Sequence, residues 1–115
     1  MSKRSDRDYL SDIQEAMLRI ATYTADVDYD KFMEDTKTQD AVIRNIEVIG
    51  EATKNLSGRL RKAYPQIPWK DMAGVRDKMI HHYFGINLEI VWTIAKKEIP
   101  SLLPQIEDML MKESR

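Results

Sequence analysis

The chain of 115 residues contains no cysteine, which excludes disulfide bonds and thiolate metal sites. Its 18 Lys and Arg residues nearly balance 19 Asp and Glu residues, so there is no global basic field, and contact with nucleic acid would need a local patch. No apolar run approaches the roughly 18 residues of a membrane helix. The polar first eight residues are followed by no apolar stretch. We therefore expect a cytoplasmic protein with no membrane span and no signal peptide.

Helical periodicity dominates the sequence, and no segment shows the sustained alternation of a strand. The length suits one domain over residues 1–115. We expect helices over residues 9–24, 38–56 and 75–84, a short turn at 29–34, and a last helical stretch that Asn87 caps and Pro100 interrupts. The pattern predicts an all-α bundle of about four to five helices.

Gly50 lies within the second long predicted helix, one position from its apolar stripe. A glycine in the middle of a helix costs about 1 kcal/mol relative to alanine. We therefore expect Gly50 to allow the close approach of another helix or of a second subunit. The apolar stripe itself consists of Val42, Ile46, Ile49, Ala52 and Leu56.

The segment from Arg76 to Tyr83 combines a permanent cation, a titratable imidazole and a phenol. Arginine offers a planar fork of donors to a phosphate, and histidine can give or take a proton near neutral pH. Arg76 and His81 together could cleave a phosphodiester without a metal. The plainer interpretation is a solvated pair of Arg76 and Asp77, which contributes little energy, followed by a half-buried helix end.

The spacing within this segment is unfavourable for a single regular helix. At about 100° per residue, Arg76 and Tyr83 would share a face, whereas Arg76 and His81 would diverge by about 140°. His81 and its neighbour His82 would point about 100° apart. Either an irregular lead-in around Gly74 turns Arg76 towards the histidine, or the site is completed across a two-fold dimer.

Three segments resemble the HEPN superfamily, and within it the HepT-like toxins. Residues 44–52 are similar to the long-helix signature of that family, and residues 67–74 are similar to its lead-in. Residues 76–83 fit its Arg-x4-His-x-Tyr motif, with Asp77 at the polar position after the arginine. Members of the superfamily vary in the spacing between the arginine and the histidine, which favours the irregular or cross-dimer geometry.

The resemblance implies a HEPN-type helical bundle that acts as a homodimer and cleaves RNA as a metal-independent endoribonuclease, without a cofactor. Arg76 and His81 are then the expected catalytic residues, and Asp77 and His82 are expected to support them. Such toxins are paired with a minimal, MntA-like nucleotidyltransferase antitoxin. The resemblance implies that this partner adenylylates the motif tyrosine, here Tyr83.

Two other functions are compatible with the same residues. In the first, the protein is a non-catalytic nucleotide-binding or adaptor module, in which Arg76 and His81 hold a nucleotide or support the dimer. In the second, it is a structural helical dimer without a site. Fragments that end in a 2′,3′-cyclic phosphate, formed from RNA in the presence of a chelator, would distinguish the ribonuclease from both.

Overall fold

Three long helical segments carry the fold in the computed structural model, which describes residues 3–81, apart from the side chain of His81, and residues 85–113. The elements in chain order are α1 (Asp6–Thr24), α2 (Tyr29–Glu34), α3 (Thr36–Lys54), α4 (Gly58–Ala63), α5 (Trp69–Ala73), α6 (Val75–Met79), β1 (Ile80–His81), β2 (Gly85–Ile86), α7 (Leu88–Thr93), a π-helical turn (Ile94–Glu98) and α8 (Ile99–Lys112). The two short strands are antiparallel. The all-α prediction is confirmed.

The helix starts follow from side chains that accept hydrogen bonds from free backbone N–H groups. Ser5 accepts from the N–H of Asp8, and the Asp8 carboxylate accepts from the N–H of Ser5 at 2.8 Å. This reciprocal cap starts α1 at Asp6, three residues earlier than predicted. The bond from the Ser5 N–H also holds the pKa of Asp8 below its usual value. Asp35 caps α3 by accepting from Thr38, and Asn87 caps α7 as predicted.

The prediction that Pro100 interrupts the last helix is wrong. Proline lacks an N–H, and in a regular helix its ring collides with the carbonyl four residues earlier. The chain widens into a π-helical turn just before Pro100, where the N–H of Ile99 donates to the carbonyl of Ile94. Helical structure therefore continues from α7 into α8. Lys96, within this turn, donates to the carbonyl of Thr24 at 2.8 Å at the end of α1.

The core lies between α1, α3 and the last helical segment, and the predicted stripe on α3 is confirmed because all five of its residues are buried. Gly50 faces the junction of α5 and α6. A Cβ atom built on Gly50 would lie 3.1 Å from Cγ1 of Val75 and 3.4 Å from the carbonyl oxygen of Met72. The close approach expected at Gly50 thus takes place within one protomer.

Two arginines of α4 form contacts with other parts of the fold. The Arg59 guanidinium lies 3.0 Å from the Glu113 carboxylate and 3.6 Å from that of Asp6. Arg61 donates to the carbonyl of Thr53 at 2.8 Å. These cations are therefore engaged by the fold. Within residues 3–81 and 85–113, no helix combines the length and the apolar character that crossing a membrane requires.

Replacing Gly50 with leucine should destabilise the fold, because the new side chain would overlap Val75 and the backbone of α5. Overpacking of this kind costs about 1–3 kcal/mol of the free energy of unfolding. Urea denaturation measures the change. Gly58→Leu is the matched control, because a Cβ at Gly58 meets nothing within 4 Å. Equal stability of the two variants would contradict the close approach at Gly50.

Candidate functional site

The predicted motif helix over residues 75–84 is wrong at Ile80 and His81, because α6 ends at Met79. Ile80 takes an extended conformation, with φ −82° and ψ 127°, and the backbone of His81 pairs with Gly85 across the two strands. The N–H of Asn87 donates to the carbonyl of Met79 at 2.7 Å. Gly85 has a φ of 78°, which glycine adopts without the steric penalty of other residues. Backbone pairing with residues 85–87 thus replaces the next helical turn.

Because α6 ends at Met79, the predicted angles between the side chains of this segment no longer apply. The shared face of Arg76 and Tyr83, and the divergence of Arg76 from His81, each required a regular helix from 76 to 83. The chain is instead irregular after Arg76, between Met79 and Ile80, in addition to the break at Gly74 that separates α5 from α6. His82, Tyr83 and the side chain of His81 lie outside the described residues.

Arg76 projects from α6 with 71% of its side chain exposed. Its Nε atom lies 3.9 Å from Oε2 of Glu47 on α3. An ion pair this long and this exposed contributes little to stability, so the guanidinium can exchange the carboxylate for another anion. Asp77 is exposed, and its carboxylate forms no hydrogen bond or ion pair with the described part of the chain. The solvated pair of Arg76 with Asp77 is therefore not formed, and the partner of Arg76 comes from α3.

Arg76 stands at the edge of an open groove between α3 and the α5–α6 junction, which we call the α3 groove. It encloses about 270 Å³ and is lined by Arg44, Glu47, Gly50, Glu51, Lys54, Ala73 and Arg76. The two small residues allow the groove to form between closely packed helices. Its charged residues on α3 recur every three or four positions, and they therefore share one helical face.

Sequence reasoning did not assign a role to Glu47 or Arg44, although both fall within the signature-like segment 44–52. The available signal was the charged face of α3 beside Gly50. The missing information was that Gly50 brings Arg76 to that face.

The family described as "Ribonuclease HepT-like" matches residues 13–109, which extend from α1 through the motif to α8. The chain belongs to the HepT-like ribonuclease family. This places it in the HEPN superfamily, as the resemblance predicted, and its all-α bundle agrees with that fold class.

Several relatives match nearly the whole chain. A protein of Methanocaldococcus jannaschii named "Putative RNase" is 51% identical over 110 residues, 96% of this chain and 91% of the relative. A "Probable ribonuclease HepT" of Thermococcus cleftensis is 46% identical over 107 residues, 93% of this chain and 97% of the relative.

A longer relative contains the matching part beside another activity. This M. jannaschii protein, named "Gamma-glutamylcyclotransferase and putative RNase", is 47% identical over 98 residues, which cover 85% of this chain and 44% of the relative. No solved structure matches the chain.

Proposed function

We propose that this HepT-like protein is a metal-independent endoribonuclease and the toxin of a toxin–antitoxin pair. The observation that carries the proposal is the exposed guanidinium of Arg76 beside the α3 groove, five residues before His81 and separated from it by the end of α6. The family and the names of the relatives support RNA as the substrate. We also propose that residues 1–115 form a single cytoplasmic HEPN domain, and the longer relative, which carries the matching part beside another activity, supports this unit.

The proposed reaction uses the nucleophile that RNA already contains. The 2′-oxygen attacks the adjacent phosphorus while its proton leaves, and the bond from phosphorus to the 5′-oxygen breaks as that oxygen gains a proton. The products are a 2′,3′-cyclic phosphate and a 5′-hydroxyl. His81 transfers the proton, and Arg76 holds the non-bridging oxygens as negative charge develops on them. Asp77 orients either His81 or Arg76, and His82 supports His81.

The active form in this proposal is a homodimer in which both motifs face one cleft. Ile80 supports it, because this large apolar residue is 45% exposed directly beside His81. A second subunit would cover such a side chain. Gly50 gives no support to the dimer, since α5 and α6 of the same protomer already fill the space beside it.

Regulation in this proposal acts through Tyr83. An MntA-like nucleotidyltransferase antitoxin transfers an adenylyl group from a nucleoside triphosphate to the phenolic oxygen. That oxygen loses its proton as it bonds to the α-phosphorus, and pyrophosphate leaves. The added nucleotide brings bulk and the negative charge of its phosphate next to the motif. The charge repels RNA in the same way as phosphorylation repels nearby anions.

Arg76→Ala and His81→Ala should each reduce RNA cleavage by about 10²–10⁴-fold, the usual effect of losing a group that transfers a proton or stabilises charge. The measurement is the formation of fragments with 2′,3′-cyclic phosphate ends in the presence of EDTA. Arg19→Ala is the matched control, since it removes an exposed arginine of α1 whose partner is Glu15. Near-normal cleavage by His81→Ala would rule out this mechanism. Binding of RNA without cleavage by the unmodified protein would favour the non-catalytic nucleotide-binding module.

The protein should sediment as a dimer at micromolar concentration, because a second subunit that covers Ile80 would remove its exposed apolar surface from water. Ile80→Asp should shift the population towards monomer, since a charge cannot be buried there without a partner. Leu18→Asp is the control, as Leu18 is similarly exposed, at 43%, on α1. Sedimentation of the unmodified protein as a monomer would contradict the dimer.

Tyr83→Phe should retain ribonuclease activity but escape neutralisation by the antitoxin, because it lacks the oxygen that accepts the adenylyl group. Mass spectrometry of the co-expressed pair should find adenylyl groups on the Tyr83 peptide of the unmodified toxin. Tyr23→Phe is the control, because Tyr23 is an exposed tyrosine elsewhere, on α1. Continued adenylylation of the Tyr83→Phe variant would show that another residue is the acceptor.

A further inference from the structure

The α3 groove contains more positive groups than the catalytic motif uses. Arg44, Lys54 and Arg76 line it together with two carboxylates, those of Glu47 and Glu51. The motif accounts for Arg76 alone. Arg44 and Lys54 are therefore available to bind an anion that the motif does not contact.

The three cations follow one another along α3. Arg44 and Lys54 are ten residues apart, which at 1.5 Å per residue separates their backbones by about 15 Å. Arg76 is paired with Glu47, so its guanidinium lies between them along the helix. A nucleic-acid strand carries one phosphate per about 3.4 Å when its bases are stacked. The line of cations therefore matches a run of about four nucleotides.

The same cations are free to change partners. Lys54 lies 4.0 Å from Glu51, and Arg76 lies 3.9 Å from Glu47, with all four side chains at least one-third exposed. Arg44 is exposed, and its guanidinium forms no hydrogen bond or ion pair with residues 3–81 or 85–113. Arg59 and Arg61 differ in this respect, because the fold engages both. Long, exposed ion pairs can therefore be exchanged for phosphate at little cost.

The shape of the groove selects one strand. The groove lies between α3 and the α5–α6 junction and encloses about 270 Å³. Packed helices generally have axes about 8–10 Å apart, so a groove between them suits one strand better than a double helix. A single sugar–phosphate backbone can lie over the small residues Gly50 and Ala73, with its bases directed outwards. Single strands are also the form in which RNA most often exposes its bases to proteins.

We propose that the α3 groove is a track for single-stranded RNA, in which Arg44 and Lys54 bind the phosphates on either side of the one that Arg76 holds. The inference rests on the proposed function, since it extends the substrate contacts of the same site. Glu47 and Glu51 hold Arg76 and Lys54 in the groove before RNA binds. The contacts are to phosphates and therefore independent of sequence.

A short single-stranded 2′-O-methyl RNA tests the track separately from cleavage, because it lacks the nucleophilic hydroxyl. Its binding constant is measured over a range of salt concentrations. Each phosphate contact on a single strand contributes about 0.7 to the slope of log K against log salt. Arg44→Ala and Lys54→Ala should each lower the slope by about 0.7, and the double variant should lower it by about 1.4.

Two matched controls test whether position or charge alone matters. Arg19→Ala removes an exposed arginine of α1, and Lys112→Ala removes a lysine that, like Lys54, occupies the last turn of a helix and pairs with a nearby carboxylate. Both controls should retain the full slope. Circular dichroism should confirm that all five variants are folded.

Unchanged slopes in Arg44→Ala and Lys54→Ala, or equal losses in the controls, would overturn the track. Equal affinity for a 2′-O-methyl duplex would overturn the assignment to single strands. The proposed ribonuclease can fail separately. If the methylated strand binds with the expected slope changes but unmodified RNA is not cleaved, the ribonuclease is wrong and the track stands. If RNA is cleaved and both groove variants keep the full slope, the ribonuclease stands and the track is wrong.

Discussion

The packing of α5 and α6 against Gly50 of α3 is the contact on which the candidate site depends. Only a hydrogen atom separates the α3 backbone from Val75 and Met72 at this point. This proximity brings Arg76, the next residue after Val75, to the charged face of α3. Without it, Arg76 would be an exposed cation on a five-residue helix, with no groove and no carboxylate beside it.

The end of α6 matters as much as its position. A continuous helix through residue 83 would direct Arg76 and His81 to different faces. The change to an extended backbone at Ile80 makes the angle between them independent of helical periodicity. The same change leaves Ile80 exposed, and it connects the motif to β2 and the capped start of α7. The proposed dimer contact, the proposed catalytic residues and the irregular backbone thus all lie within the motif segment, residues 76–83.

The distribution of charge explains how a nearly neutral protein can carry a site for an anionic polymer. The contacts that each cation makes within the fold determine whether it is available to another anion. Arg59 and Arg61 are held by the ends and turns of the fold, and Lys96 bonds the end of α1. Arg44 and Arg76 have long contacts or none within the described residues. In the proposed RNA track, Arg44 and Arg76 are thus cations that the fold holds weakly or not at all, and the net charge gives no information about them.

Much of this protein could be predicted from its sequence alone. The helical class, the buried stripe of α3, the short helical turn at residues 29–34 and the cap at Asn87 follow from periodicity and capping, which act over a few neighbouring residues. The motif segments also identified the family. The end of α6 at Met79, the continuation through Pro100 and the pairing of Arg76 with Glu47 were decided by the tertiary structure. The end of α6 and the partner of Arg76 depend on residues farther along the chain, because pairing with β2 and the close approach at Gly50 override the local preference that a sequence pattern records. The continuation through Pro100 depends on the π-helical turn at Ile94–Glu98, a hydrogen-bond pattern that helical periodicity does not record.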